Sequence, residues 1–300
     1  MTPEGPTAPS DRSTTVFVVG AGLMGAGIAA QSALAGYPVL LEDISEQLAA
    51  QGLARALRAI DHAVSRGEID PGRRDAALAR LTPTVGMAAA AKAAIVVEAA
   101  PENLALKRQL FAELERVAPA EALLATNTSS LPIAAIGEGL RRPDRLVGVH
   151  FFNPVLQMPL VELIAGSRTD REAVARADRF ARELGKTVVR SSDSPGFVTS
   201  RALAVLVNEA ARMLEAGVAD RDDIDRAYRL GFHHPMGPFE LVDLVGIDTT
   251  VAILDVLFEG LRDERYRACA LLRAKVAEGK VGRKSGEGFY VYPAKPTAPR

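Results

Sequence analysis

The stretch "TTVFVVGAGLMGAGIAAQSALAGYPVLLED", residues 14–43, decides the fold. Its first six residues are rich in β-branched side chains and lead into a glycine, which predicts a buried strand. An alanine-rich helix pattern follows, with Leu23, Ile28 and Leu34 expected to face a sheet, and "YPVLLED" predicts a second strand that ends in acidic residues. Strand, turn, helix and strand in this order are typical of an α/β domain with a parallel sheet.

Strand-like runs separated by helices continue this alternation and predict a doubly wound, mainly parallel sheet. The pattern changes near residues 191–195, since no buried strand is predicted between there and "GFYVY". We therefore expect an α/β domain at residues 14–192, an all-α domain at residues 193–300, and a disordered tail at residues 1–13. The predicted helices of the second domain span residues 198–216, 220–230, 237–259 and 266–279.

The turn after the first predicted strand carries the spacing G-x-G-x-x-G through Gly20, Gly22 and Gly25. Between a strand and a helix, such glycines let the backbone approach a pyrophosphate, and the helix N-terminus offers free N–H groups. We predict a Rossmann-type dinucleotide site here, with Leu23 and Met24 of the same turn beside the cofactor. The alternative is that the glycines serve only close packing of the helix on the strand.

The acidic end of the second predicted strand identifies the dinucleotide. Asp43 lies eighteen residues after Gly25, where a carboxylate can accept hydrogen bonds from the adenosine ribose diol. Glu42 and Asp43 would repel a 2′-phosphate, and no arginine or lysine lies in the loop that follows. The predicted cofactor is therefore NAD rather than NADP.

Composition excludes several classes of function. The chain of 300 residues has 36 Lys+Arg and 37 Asp+Glu, and this net charge of −1 predicts no nucleic-acid or anionic-lipid partner. The apolar runs are too short to span a membrane, and the single cysteine cannot form an internal disulfide. No cysteine or histidine spacing is typical of a metal site. We expect a soluble cytoplasmic protein without a metal.

Polar side chains follow two further predicted strands. "VVEAAPENLALK" places Glu102, Asn103 and Lys107 on a loop and a first helical turn, and "TNTSSLP", residues 126–132, ends the next strand. Ligands bind at the carboxyl edge of parallel sheets, so both segments are candidates for the site. From local sequence alone, "TNTSSLP" is either an active-site loop or a capping turn for the next helix.

His150 ends another predicted strand at the same edge, within "VGVHFFNPVLQMPLVELI", residues 147–164. Glu162 would lie on the adjoining strand if the chain reverses between them. A carboxylate beside an imidazole fixes its tautomer and stabilises its protonated form, which suits a general base and the residue that orients it. The alternative for a single histidine is a structural role.

Seven motifs in unbroken order resemble the L-3-hydroxyacyl-CoA dehydrogenase family, particularly its bacterial 3-hydroxybutyryl-CoA dehydrogenases. They cover roughly residues 14–293 and read "GAGLMGAGIA", "VVEAAPENLALK", "TNTSSL", "HFFNPVLQMPLVE", "DSPGF", "HPMGPFELVDLVGIDT" and "GRKSGEGFYVY". The resemblance implies an oxidoreductase of fatty acid metabolism that interconverts (S)-3-hydroxyacyl-CoA and 3-oxoacyl-CoA with NAD. It also implies a homodimer formed through the helical domain.

The resemblance assigns roles to particular residues. His150 matches the base that takes the proton from the 3-hydroxyl group, and Glu162 matches the glutamate that orients this base. Ser129 matches a serine that hydrogen-bonds the substrate oxygen. The positions that match contacts with the cofactor are Glu102, Lys107 and Asn153, of which Asn153 also lies beside the histidine and the substrate.

Two departures from the family pattern leave the substrate open. Ser200 stands where the family has an active-site asparagine before Arg201, and Ala59 and Arg66 stand where a serine and a lysine contact coenzyme A. Arginine can still bind a phosphate, so Arg66 remains a candidate substrate contact. The alternatives are the same chemistry on an acyl-carrier-protein thioester, and a dinucleotide-binding protein without catalytic activity.

Overall fold

The computed structural model describes residues 13–293, and the chain divides into two compact units between Ser194 and Pro195. The tail predicted at residues 1–13 lies outside the described residues except for Ser13. The first unit has eight strands: β1 Val16–Val19, β2 Val39–Asp43, β3 Leu81–Val85, β4 Ile95–Glu98, β5 Leu123–Thr126, β6 Leu146–Phe151, β7 Leu160–Ala165 and β8 Thr187–Ser192. Its helices are α1 Leu23–Leu34, α2 Glu46–Ser65, α3 Pro71–Leu78, α4 Leu104–Val117, α5 Ile133–Ile136 and α6 Arg171–Glu183.

All eight strands form one sheet in the order β3-β2-β1-β4-β5-β6-β7-β8. Strands β1 to β6 are parallel, whereas β7 runs antiparallel to β6 and β8 runs parallel to β7. The predicted α/β class with a mainly parallel sheet is confirmed. The strand order reverses between β1 and β4, and in such sheets the crevice at this point is where a ligand binds.

Strand β3 was not predicted from the sequence. It reads "LTPTV", pairs with β2 alone among the described strands, and has exposed residues at three of its five positions. Proline is tolerated in an edge strand, where its missing N–H costs no ladder hydrogen bond. Because Pro83 and the two threonines obscure the apolar pattern, local sequence gave no signal for this strand.

Helix α1 packs on the sheet through small and branched side chains. Ile28, Ala29 and Ala30 are fully buried, and Leu34 is partly buried against the same core. The expectation that Leu23 faces the sheet was wrong, because its side chain is 65% exposed. Leu23 is the first residue of α1 and therefore lies at the sheet edge.

The second unit is helical, as predicted. Its helices are α7 Thr199–Glu215, α8 Arg221–Gly231, α9 Pro238–Val245, α10 Ile247–Leu261 and α11 Ala270–Ala277. The single helix predicted at residues 237–259 was wrong, because Gly246 has φ +111° and separates α9 from α10. The apolar pattern continues through this glycine, so periodicity did not reveal the break.

The C-terminal segment is anchored to this unit by two buried carboxylates, and one of them, Asp225, accepts a hydrogen bond from the hydroxyl of Tyr290. Asp243 on α9 is 1% exposed and accepts hydrogen bonds from the backbone N–H groups of Phe289 and Tyr290 and from the hydroxyl of Tyr292. Gly288 lies so close that a Cβ there would be 2.0 Å from Asp243 Oδ1. These contacts explain the glycine-rich motif "GRKSGEGFYVY" as a structural closure of the helical unit.

Within residues 13–293, no helix combines the length and the apolar character needed to cross a membrane.

Candidate active site

The glycine turn lies at the carboxyl end of β1 and has the geometry of an anion site. Gly20 has φ +90°, and a Cβ there would lie 3.0 Å from the carbonyl oxygen of Ala99 in the loop after β4. A Cβ at Gly25 would lie 1.8 Å from the carbonyl oxygen of Gly20, so α1 can approach β1 only through a glycine. Gly22 differs, since a Cβ there would meet nothing within 4 Å.

Open space at Gly22 coincides with the N-terminus of α1. Gly22 is the residue before the helix, no side chain caps this end, and the first turn contains no acidic residue. Uncapped N–H groups and the positive end of the helix dipole attract a phosphate. The residues of this turn therefore fit the pyrophosphate of a dinucleotide.

Asp43 ends β2 next to the glycine turn. Its Oδ2 accepts a hydrogen bond from the N–H of Ala21 at 2.9 Å, and its Oδ1 accepts one from the N–H of Ile44 at 2.8 Å. A carboxylate has lone pairs left after two such bonds, so Asp43 can also accept from a ribose diol. Burial raises the pKa of the neighbouring Glu42 above its ordinary value. Ile44 is 83% exposed and offers an apolar surface beside Asp43 that the sequence analysis missed.

His150 and Glu162 lie directly opposite each other on the antiparallel strands β6 and β7. Glu162 Oε2 is 2.8 Å from His150 Nδ1, and the two residues are 0% and 5% exposed. The ring of Phe152 lies 4.5 Å from the imidazole, measured between ring centroids. A buried carboxylate at Nδ1 favours a proton on that nitrogen and stabilises the imidazolium when Nε2 accepts a second proton.

Ser129 lies in the loop between β5 and α5, and this loop is tied to the strand that carries His150. Asn127 Oδ1 accepts a hydrogen bond from the backbone N–H of Phe151 at 2.8 Å. The N–H of Ser129 donates to Glu102 Oε1 at 3.0 Å. The Ser129 hydroxyl makes no hydrogen bond within residues 13–293, and the residue is partly exposed.

Lys107 is enclosed by oxygen atoms on the first turn of α4. The residue is 1% exposed, and its Nζ lies 2.6 Å from Glu98 Oε1, 3.2 Å from the carbonyl oxygen of Ala100 and 3.5 Å from Glu102 Oε2. Glu98 ends β4, is fully buried, and accepts a further hydrogen bond from the hydroxyl of Thr126. Glu98 was not among the predicted site residues, although an acidic residue that ends an apolar strand is a signal for such a role.

Asn153 lies in the exposed turn after β6, and Lys186 supports this turn from the interior. Lys186 Nζ donates to the carbonyl oxygens of Val155 at 2.5 Å and Met158 at 3.0 Å. Val155 also packs on α1, where a Cβ at Gly27 would lie 2.8 Å from Val155 Cγ2. Local sequence gave no signal for Lys186, because its partners are backbone atoms about thirty residues earlier.

Comparison with known families accounts for both units. Residues 15–194 match the NAD-binding domain of 3-hydroxyacyl-CoA dehydrogenase, and residues 196–292 match the C-terminal domain of the same enzyme. The chain belongs to the 3-hydroxyacyl-CoA dehydrogenase family. The resemblance inferred from the seven motifs is therefore confirmed.

Relatives within this family are similar over nearly their whole length. The chain is 45% identical to a 3-hydroxybutyryl-CoA dehydrogenase of Mycobacterium tuberculosis, with 94% of this chain and 100% of the relative covered. It is 41% identical to a probable 3-hydroxybutyryl-CoA dehydrogenase of Bacillus subtilis, with 93% and 98% covered.

Solved structures give the same result. The crystal structure of M. tuberculosis FadB2 matches with a TM-score of 0.91 and 44% identity, covering 94% of this chain and 100% of that one. The (S)-3-hydroxybutyryl-CoA dehydrogenase PaaH1 of Ralstonia eutropha matches with a TM-score of 0.89 and 38% identity, covering 93% and 99%.

The two departures from the family pattern lie in helical segments, one in each unit. Arg66 follows the last turn of α2, is exposed, and forms an ion pair of 2.6 Å with Glu68. Ser200 lies in the first turn of α7 in the helical unit and is 7% exposed. The described residues contain no cluster of three or more side chains suited to hold a metal ion.

Proposed function

We propose that the chain is an NAD-dependent dehydrogenase that interconverts (S)-3-hydroxybutyryl-CoA and its 3-oxo form. The observation that carries this proposal is the buried His150–Glu162 pair at the sheet edge that also bears the glycine turn. The similarity to 3-hydroxybutyryl-CoA dehydrogenases, at 41% and 45% identity, supports the choice of substrate class.

In this proposal NAD, when bound, supplies the hydride acceptor for carbon 3 of the hydroxyacyl group. His150 Nε2 takes the proton of the 3-hydroxyl group as carbon 3 is oxidised, and returns it in the reverse direction. Glu162 holds the imidazole in the required tautomer and stabilises its positive charge, since the carboxylate lies 2.8 Å from Nδ1. Ser129 donates a hydrogen bond to the substrate oxygen, which gains negative charge during the reaction.

The remaining predicted site residues are assigned by the same proposal. Asp43 accepts hydrogen bonds from the ribose of NAD, Asn153 contacts the cofactor and the substrate, and Arg66 contacts the substrate. Ser200 takes the place of the family's active-site asparagine. The glycine-turn residues that bind the pyrophosphate and its surroundings are Gly20, Gly22, Leu23, Met24 and Gly25. Glu102 and Lys107 line the same cofactor region.

We also propose a cytoplasmic homodimer, on the basis of the family resemblance. Light scattering at several protein concentrations measures the mass directly. A value near twice the chain mass of 31.8 kDa supports the dimer, and a monomer at every concentration contradicts it.

Consumption of NADH with acetoacetyl-CoA tests the proposed function. The same acyl group on a phosphopantetheinylated carrier protein serves as the second substrate, and the S200N variant is assayed in parallel. Rapid turnover of the coenzyme A ester is the expected result. Turnover on the carrier protein alone contradicts the coenzyme A assignment, and NADH binding without turnover of either thioester contradicts the assignment as an enzyme.

A further inference from the structure

We infer that Lys186 is a positioning residue for Asn153, because its buried ammonium group holds the turn that follows the His150 strand and carries this asparagine. The inference rests on the proposed function, since the contacts of Asn153 with the cofactor and the substrate belong to it. The turn, residues 152–159, joins the strand of His150 to the strand of Glu162. Its position therefore bears on both strands of the candidate active site.

The side chain of Lys186 binds two carbonyl groups of this turn. Lys186 lies just before β8 and is 6% exposed, and its Nζ donates to the carbonyl oxygens of Val155 at 2.5 Å and Met158 at 3.0 Å. Within the turn, the N–H groups of Gln157 and Met158 donate to the carbonyl oxygen of Pro154, at 3.0 Å and 2.9 Å. The ammonium group therefore joins two further peptide groups of the turn to the start of β8.

Val155 connects the same turn to the helix of the glycine turn. Its side chain is 3% exposed, and a Cβ at Gly27 on α1 would lie 2.8 Å from Val155 Cγ2. Lys186 holds the carbonyl group of this residue while α1 contacts its side chain. Because α1 begins at the glycine turn, these contacts relate the position of Asn153 to the element that bears the predicted pyrophosphate site.

Burial of the Lys186 ammonium group costs free energy that an apolar side chain would not cost. Both partners are neutral carbonyl oxygens, which compensate less for lost hydration than a carboxylate does. Methionine is unbranched and of similar length, so it could fill the same space without a charge. It could not donate to either carbonyl group. The lysine therefore contributes the geometry of the turn rather than net stability.

Steady-state kinetics of K186M test this role. We expect kcat to fall roughly tenfold and KM for acetoacetyl-CoA to rise at least roughly threefold, because a displaced contact weakens substrate binding as well as turnover. The dissociation constant of NADH should rise by a similar factor. A variant that only unfolds more readily contains fewer active molecules, which lowers the apparent kcat without changing KM or this dissociation constant.

A double-mutant cycle shows whether Lys186 acts through Asn153. Addition of K186M to N153A should lower kcat/KM by less than about threefold further, although each change alone lowers it at least roughly tenfold, since both remove the same contact. Urea denaturation at pH 7 should show that K186M is at least as stable as wild type, because a buried charge is removed. K186L replaces K186M if the latter does not fold.

R145M is the matched control. Arg145 is also 6% exposed and donates to neutral carbonyl oxygens, those of Pro119 at 2.7 Å and Ala120 at 3.3 Å. It lies just before β6, at the opposite end of this strand from His150. R145M should change the stability but leave KM and the dissociation constant of NADH at their wild-type values.

Hydrogen exchange provides a measurement that does not depend on activity. Amide exchange in a peptide covering residues 152–159 should be faster in K186M than in wild type and unchanged in R145M. Unchanged exchange in K186M overturns the inference, as does an additive cycle, or wild-type values of KM and NADH affinity in K186M. If the wild-type protein does not turn over acetoacetyl-CoA, the proposed function fails, and the exchange and NADH measurements still decide whether Lys186 fixes the turn.

Discussion

Lys186 carries a buried positive charge, and the free-energy cost of burying this charge depends on pH. The residue is 6% exposed, both hydrogen-bond partners are neutral carbonyl oxygens, and burial lowers the pKa of Lys186 from 10.5 to about 8. The unfolded chain therefore binds this proton more tightly than the folded chain. The resulting destabilisation of the folded state is fully present below pH 8 and disappears as the pH rises towards 10.5. Lys186 therefore makes the free energy of unfolding increase with pH between these two values.

Replacement of Lys186 tests this pH dependence. We expect the free energy of unfolding of wild type to rise relative to that of K186M by up to roughly 3 kcal/mol between pH 7 and pH 10.5. Urea denaturation of both proteins at several pH values gives the difference. K92M, which replaces an exposed lysine, is the control for the loss of a positive charge. A constant difference for K186M as well would show that the folded-state pKa of Lys186 is not lowered.

The residues of the candidate site differ in how far the sequence alone predicts their contacts. His150 and Glu162 could be paired from the sequence, because each lies on an apolar strand and a turn separates them. The contact between Glu98 and Lys107 could not be predicted in this way, since the burial of both side chains depends on strands that are distant in sequence. A local pattern reports which face of an element is apolar, and it does not report which charged side chains meet in the interior.

In the turn from β1 into α1, Gly22 leaves space for a ligand, whereas Gly25 permits close packing. Gly25 has a backbone carbonyl 1.8 Å from the position of a Cβ, whereas Gly22 has open space around this position and a negative φ of −66°. An alanine at Gly22 is therefore compatible with the fold, but its methyl group would occupy space that a bound pyrophosphate needs. An alanine at Gly25 is incompatible with the packing of α1 on β1.

These two glycines give a matched pair of variants. We expect G22A to unfold within about 2 °C of wild type but to bind NADH at least roughly tenfold more weakly, because the phosphate contacts are lost. G25A should lower the melting temperature by several degrees, since its clash is with backbone. Thermal unfolding and NADH fluorescence titration measure both effects. Wild-type NADH affinity in G22A would contradict the placement of the cofactor at this turn.

Element boundaries were predicted well where patterns were regular and poorly where a single residue interrupted them. The order β1, α1, β2 was predicted correctly because both strands are largely apolar and a glycine turn separates β1 from α1. β3 was missed because Pro83 and two threonines interrupt a short edge strand. Gly246 divides α9 from α10 by its positive φ, which residue patterns on either side do not encode.

For the molecule as a whole, motif order carried more information than composition. Composition indicated only one large or two ordinary domains without a charge excess, whereas the seven motifs indicated the family that the two domain matches establish. Sequence could not assign the acyl carrier, because Ala59 and Arg66 depart from the family pattern at the coenzyme A contacts and Ser200 departs from it at the acyl group. Their contribution depends on where the substrate lies, which no residue pattern encodes.

The most direct test of the central claim is the turnover of H150A with NADH and acetoacetyl-CoA, measured together with its dissociation constant for NADH. Loss of a general base lowers kcat by roughly a hundredfold or more, whereas NADH binding should stay within about twofold. H62A is the control, because His62 is exposed on α2 and should be as active as wild type. Turnover of H150A equal to that of wild type would contradict the assignment of His150 as the base.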